Sequence, residues 1–194
     1  MSNSNALPVL RTPDLPTAYR AVKRLLNLAI PMDSFNVSAE TEALTLEEVQ
    51  RMAAAFPTAT IAPADPYRPE SNDDVRRMVV AGDPNVAALL PVSLILERLP
   101  VGSIEESFFG VVGSGPGSID WDCFSWPAVP ELGLAVRNKD AYVQIALNSR
   151  DVFRDVPAED HTVFVHFRQG DVERAEWLAR QAGLQPVGPV EWGW

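Results

Sequence analysis

The chain has little with which to do chemistry near neutral pH. Its 194 residues include only two histidines and one cysteine. A lone cysteine excludes an intramolecular disulfide framework and fits a reducing compartment. So few imidazoles and thiols argue against zinc, whose sites draw on several Cys or His ligands. No Gly-x-Ser-x-Gly elbow is present, so that hydrolase class has no support. Positive charge is also scarce: 16 basic residues, fourteen Arg with Lys23 and Lys139, face 26 acids, for a formal net charge of −10. Binding to phosphate backbones rests on Lys and Arg releasing counterions. Direct nucleic-acid binding is therefore disfavoured, and so is an anionic membrane surface. The longest apolar run, residues 86–96, is interrupted by Pro91 and Ser93 and is far short of the roughly 20 residues a membrane helix needs. Residues 1–5 are polar and show no basic-then-apolar leader, so a cytoplasmic protein is expected.

What is present is an ordinary globular composition, 46% hydrophobic. A chain of this length buries about 70% of its extended surface, enough for a core without metal or disulfide. Residues 1–10 read as a flexible tail and 11–194 as a single domain. Thr12 and Pro13 predict a helix start, and Leu15, Ala18, Val22, Leu25 and Ala29 give it an apolar stripe that Pro31 ends. Its outer face carries Arg20, Lys23 and Arg24, the pattern of a solvated helix face. Thr45 and Glu48 match a capping box for a second helix that Pro57 closes. Residues 58–61 are expected to be a short strand and 62–74 a proline-rich loop, with Ser71 capping another helix. Asp83 and Pro84 start a further helical segment, largely buried and interrupted by Pro91.

The second half reads as sheet. A strand is predicted over 107–112 and an irregular stretch rich in Gly, Pro and Trp over 113–131. Residues 132–137 and 141–147 alternate as a hairpin around a turn at 138–140. Another strand runs over 162–167, then a helix opened by Gly170 and Asp171 and capped by Gly183, then a strand at 184–187. The fold class expected is α+β: a helical N-terminal half packed on a mainly antiparallel sheet, with a C-terminal helix.

Candidate chemistry is sparse. His161 and His166 lie five apart on one strand, and an odd spacing puts them on opposite faces. Each reads more readily as structural. If one acts, it is His166, as acid or base, with Arg168 as an anion clamp. Gly110, Gly113, Gly115 and Gly117 can bring backbone amides near a phosphate, but the Lys-Ser/Thr of a phosphate loop is missing. Asp120 and Asp122 are hard oxygen donors, yet such a pair is common in so acidic a chain. Cys123 has no activating base or cation beside it and reads as inert. No metal or cofactor is expected.

The most suggestive region is residues 99–131. It holds Glu105, Glu106, Asp120, Asp122 and Glu131, no basic residue, and the rings of Phe108, Phe109, Trp121, Phe124 and Trp126. Acids and exposed tryptophans suit a dock for a basic protein; the alternative is that the rings fill the core. A second acidic stretch spans residues 33–74. The reading that follows is a small acidic protein-binding module, an inhibitor such as a bacterial immunity protein or antitoxin that occludes a basic partner through Glu105, Glu106, Asp120, Trp121, Asp122 and Trp126. A small-molecule enzyme using His166 and Arg168, and a structural subunit joined through Trp192 and Trp194, are the alternatives. Oligomeric state is open.

Overall fold

A computed structural model describes residues 4–63, 65 and 70–193. Its strands are β1 (Ser4–Thr12), β2 (Ile30–Ala43), β3 (Thr60–Pro63), β4 (Val92–Pro100), β5 (Gly117–Ser125), β6 (Tyr142–Leu147), β7 (His161–Arg168) and β8 (Glu191–Trp192). They form one eight-stranded sheet in the order β3-β4-β2-β5-β6-β7-β1-β8, and every described pairing is antiparallel. The helices are α1 (Leu15–Leu26), α2 (Leu46–Ala55), α3 (Asn72–Ala81), α4 (Glu105–Val111) and α5 (Val172–Gln181). The α+β class holds. The helical N-terminal half does not, because β1 to β4 all lie there. Residues 4–10, expected as tail, are a strand that pairs with β7 on one side and β8 on the other.

Local signals explain the helices. Thr45 Oγ1 accepts the Glu48 N–H at 3.2 Å, and Glu48 Oε2 accepts the N–H of Thr45 at 3.1 Å, a complete capping box. Ser71 caps α3 by accepting the Asp74 N–H. For α1 the cap is Asp14, not Thr12: Asp14 Oδ2 accepts the Thr17 N–H at 3.1 Å. The helix ends at Leu26, and Pro31 falls inside β2 instead of stopping it. Its basic face makes local contacts: Arg20 pairs with Asp14, and Lys23 sits 4.7 Å from the centre of the Tyr19 ring.

Several expected elements change type. Residues 107–111 of the strand expected at 107–112 belong to helix α4, whose start is held by Glu105 accepting the N–H groups of Gly102 and Ile104. Pro84–Leu89 is a 3-10 turn, and the apolar residues after Pro91 are strand β4, with Val92, Leu94 and Leu96 inward. The irregular stretch contains β5. Residues 132–137 are not a hairpin arm; the segment folds on itself through Trp126–Arg137 and Val129–Leu134 bridges, and β6 pairs with β5 and β7 instead. The strand expected at 184–187 is only one bond, from the Val187 N–H to the Pro8 carbonyl. The loop expected at 62–74 falls partly on residues 64 and 66–69, outside the described residues.

The core lies on one face of the sheet. Val22 and Leu25 of α1, Met52 of α2, Val75 of α3, Phe108 of α4 and Leu178 of α5 pack against Val37, Ile119, Trp121, Val143 and Val165 in a single apolar cluster. On the other face a small cluster of Ala6, Ala146, Val152 and Phe164 sits beneath loop 148–160. Asp151 shapes that loop by accepting the N–H groups of Phe153, Asp155 and Val156. Burial acts to raise the Asp151 pKa, but these donors win and lower it.

Candidate functional site on the outer face of the sheet

Alternation along β2 and β5 builds this face. Val37, Ala39, Thr41 and Ala43 point inward, so Asn36, Ser38, Glu40 and Glu42 point outward. On β5, Ile119 and Trp121 are buried, which turns Ser118, Asp120 and Asp122 out. The two strands are neighbours, with Ser38 opposite Asp120, Glu40 opposite Ser118 and Asn36 opposite Asp122. Residues from the two acidic stretches of the sequence thus share one face, which carries none of the described helices.

The glycines make this pairing possible. A Cβ on Gly117 would lie 2.6 Å from the Glu40 carbonyl oxygen, and one on Gly115 would lie 2.1 Å from that of Glu42. The strands approach too closely there for any side chain. The Ser114 N–H donates to Glu48 Oε1, and the Asn148 amide donates to the carbonyls of Gly113 and Gly115. The Gly-rich run is a strand entry, not a phosphate cradle.

Asp120 is half-buried and accepts the Ser118 hydroxyl at 2.8 Å. Burial pushes its carboxyl up to about 7; Ser118 and Arg154 oppose the shift, and Asp122 and Glu40 add to it. Arg154 reaches over from loop 148–160 and donates to Glu40 Oε2 at 3.1 Å. Opposite Asp120, the buried Gln144 donates to the Val152 carbonyl and accepts from His166 Nε2 at 3.0 Å.

The residues singled out from the sequence divide between the two faces. Asp120 and Asp122 lie on the outer face. Trp121 and Trp126 are 0% exposed and belong to the core, so as placed neither can anchor a partner. Glu105 is buried beside them and accepts the Trp121 indole N–H at 3.0 Å. Glu106 is exposed on the helical side, beside Tyr19 and Phe109. Trp192 is 63% exposed on edge strand β8, and Trp194 is outside the described residues. Cys123 is half-buried, not enclosed.

The histidines do lie on opposite faces. His161 Nδ1 accepts the Asn148 N–H at 3.1 Å. His166 is 0% exposed and stacks on Tyr142, with ring centres 3.6 Å apart. Burial lowers the pKa of both. Arg168 is exposed at the strand end, whereas His166 lies under the chain at Gly193, where a Cβ would come 3.0 Å from its Nδ1. The two therefore do not form an open acid–base and anion-binding pair.

Sequence reasoning missed Glu40, Glu42, Ser118, Gln144 and Arg154. The alternation of β2 and β5 was the available signal for the first three. No group of three or more His, Cys, Asp or Glu among the described residues is arranged to hold a metal, and no described helix is long and apolar enough to cross a membrane. Comparison with protein families, curated proteins and solved structures finds no match.

Proposed function

We propose that this protein binds a basic protein partner through the outer face of its sheet, as an inhibitor of the immunity-protein or antitoxin type. The observation that carries this reading is the adjacency of β2 and β5, which gathers Glu40, Glu42, Asp120 and Asp122 on a face the helices leave uncovered. A concentrated field of one sign speeds encounter with the opposite sign and rejects like-charged molecules. The mechanism is occlusion: the acidic face covers a basic functional surface, and Arg154 yields some of its contacts to the partner's cations.

The partner is to be captured from the source cell's lysate by the tagged protein and identified by mass spectrometry. Replacing Glu40, Glu42 and Asp122 with Gln, Gln and Asn is expected to slow association about tenfold or more at low salt and to flatten its salt dependence. Unchanged association kinetics in a folded triple variant would remove the reading.

A second reading, a small-molecule enzyme, draws on the placement of Asp120, half-buried against the Ser118 hydroxyl, where burial pushes its carboxyl up to about 7, the range suited to general acid–base work. Its test is a pH–rate limb near 7 that Asp120→Asn abolishes; a limb that survives the substitution would end it.

A further inference from the structure

The widest irregularity in the sheet lies between β2 and β5. Pro31 pairs with Phe124 and Asn36 with Asp122, so residues 32–35 bulge out against the single residue Cys123. Cys123 takes a left-handed φ of +59° to meet them. The bulge opens a pocket of about 450 Å³ whose walls include Met32, Asp122, Lys139, Asp140 and Tyr142, a volume in the range of small-ligand sites.

Two acceptors at the end of the bulge lack donors, and one of them, Asp122, lines the pocket. Asn36 and Asp122 face each other across the ladder, and such pairs carry their Cβ atoms about 5 Å apart on one face. Asn36 is 8% exposed. Its amide nitrogen donates to the Ser34 carbonyl at 2.8 Å, while its Oδ1 is buried without a donor; Asp122 Oδ1 is in the same condition. Burying an acceptor without a donor is unfavourable, and here it happens on adjacent strands, once at a carboxylate. The Ser118 hydroxyl is committed to Asp120 and Arg154 donates to Glu40, while Lys139 shares the pocket wall with Asp122.

We propose that the pocket receives a guanidinium group on an apolar stem, the side chain of an arginine presented by a basic partner. A guanidinium has five N–H donors in a planar fork and no acceptor, so its fork matches the Asp122 carboxylate in the pocket wall. Met32, 43% exposed, gives the stem an apolar wall, and Tyr142 supplies an aromatic one. Asp122 lines the pocket and is only partly buried. Turning its carboxylate about χ2, a soft torsion, brings Oδ1 to the ligand. Asp140 adds a second carboxylate to the wall, against the one lysine. That the ligand belongs to a protein rests on the reading above; the chemistry of the pocket does not.

n-Butylguanidine, a guanidinium on a butyl stem, tests the pocket without any partner. Titrated into isotope-labelled protein, it is expected to shift the amide resonances of residues 122–123 and 139–142 saturably, with Kd on the order of 1 mM. Butylamine, of the same charge and stem, should bind about threefold or more weakly, since it lacks the fork. Butanol, the stem alone, should not shift these resonances. Asp122→Asn should weaken butylguanidine about tenfold in a protein whose spectrum is otherwise unchanged, and Lys139→Glu should strengthen it about twofold. The proposal is overturned if butanol or butylamine matches butylguanidine, if Asp122→Asn leaves binding intact, or if these resonances do not move. Butylguanidine binding in a protein whose partner ignores the acidic face would leave the pocket and remove the docking reading. Partner association that depends on the acidic face, without butylguanidine binding, would do the reverse.

Discussion

Asp120→Asn is expected to stabilise the protein, and to do so more at pH 8 than at pH 5. The ordinary Asp value is 3.8, and burial raises Asp120 to about 7 in the folded chain. Between these values the folded state keeps a proton that the unfolded state has released. Stability therefore falls as pH rises through the window, and the full cost is present above pH 7. Below pH 4 neither state is charged and the cost vanishes. The shift corresponds to an upper limit of about 4 kcal/mol, reduced in practice because Asp120 is partly exposed and Arg154 lies nearby. Asparagine keeps the shape and an oxygen for the Ser118 hydroxyl but does not ionise. Its advantage in urea unfolding should grow by about 2 kcal/mol between pH 5 and pH 8. The buried His166, which favours the folded state at higher pH, contributes equally to both proteins and cancels in the difference. An advantage independent of pH would show that Asp120 is solvated and ordinary. A carboxylate held at a cost to stability is what a site selected for binding or proton transfer retains.

Arg174→Leu should be the most damaging single change away from the outer face. Arg174 is 0% exposed. Its guanidinium donates to the carbonyls of Pro127 and, at 2.6 Å, Ala135. Its Nε lies 3.6 Å from Asp171, which Arg137 approaches to 3.5 Å. One side chain thereby fastens segment 126–137 onto α5, and that segment leads directly into the 138–142 wall of the pocket. Leucine fills much of the volume but leaves both carbonyls without these donors and Asp171 with only Arg137. The expected loss is about 3–5 kcal/mol in chemical unfolding. Arg174→Lys should recover only part of it, because an ammonium cannot span both carbonyls. Hydrogen exchange at the Trp126 and Arg137 amides, which bond to each other's carbonyls, should quicken in both variants. A loss under about 1 kcal/mol would show that the segment is held by other contacts.

Local chemistry was legible where one residue's side chain meets a nearby backbone group. The Thr45–Glu48 capping box, the Ser71 cap and the left-handed Gly183 after α5 needed nothing beyond their own neighbourhoods. Strand β7 was legible from its unbroken run, and the odd spacing of the histidines correctly placed them on opposite faces. Strand β5 was hidden because Gly115, Pro116 and Gly117 resemble loop punctuation, although the two glycines allow close backbone approach to β2. Strand β2 was hidden because Pro31 looks like the end of α1. Its alternating residues from Asn36 to Ala43 nevertheless carried the outer face in plain order.

The sequence by itself determined charge, the caps of α2 and α3 and the alternation of faces along a strand, because these depend on residue type and a period of two or 3.6. The tertiary structure alone decided that β2 lies beside β5. Strand order arises from contacts between segments about eighty residues apart, and periodicity carries no information about that. This pairing joined two separate acidic stretches into one face, set Trp121 inward beside Val37, and left Asp122 at the edge of a pocket, opposite Asn36.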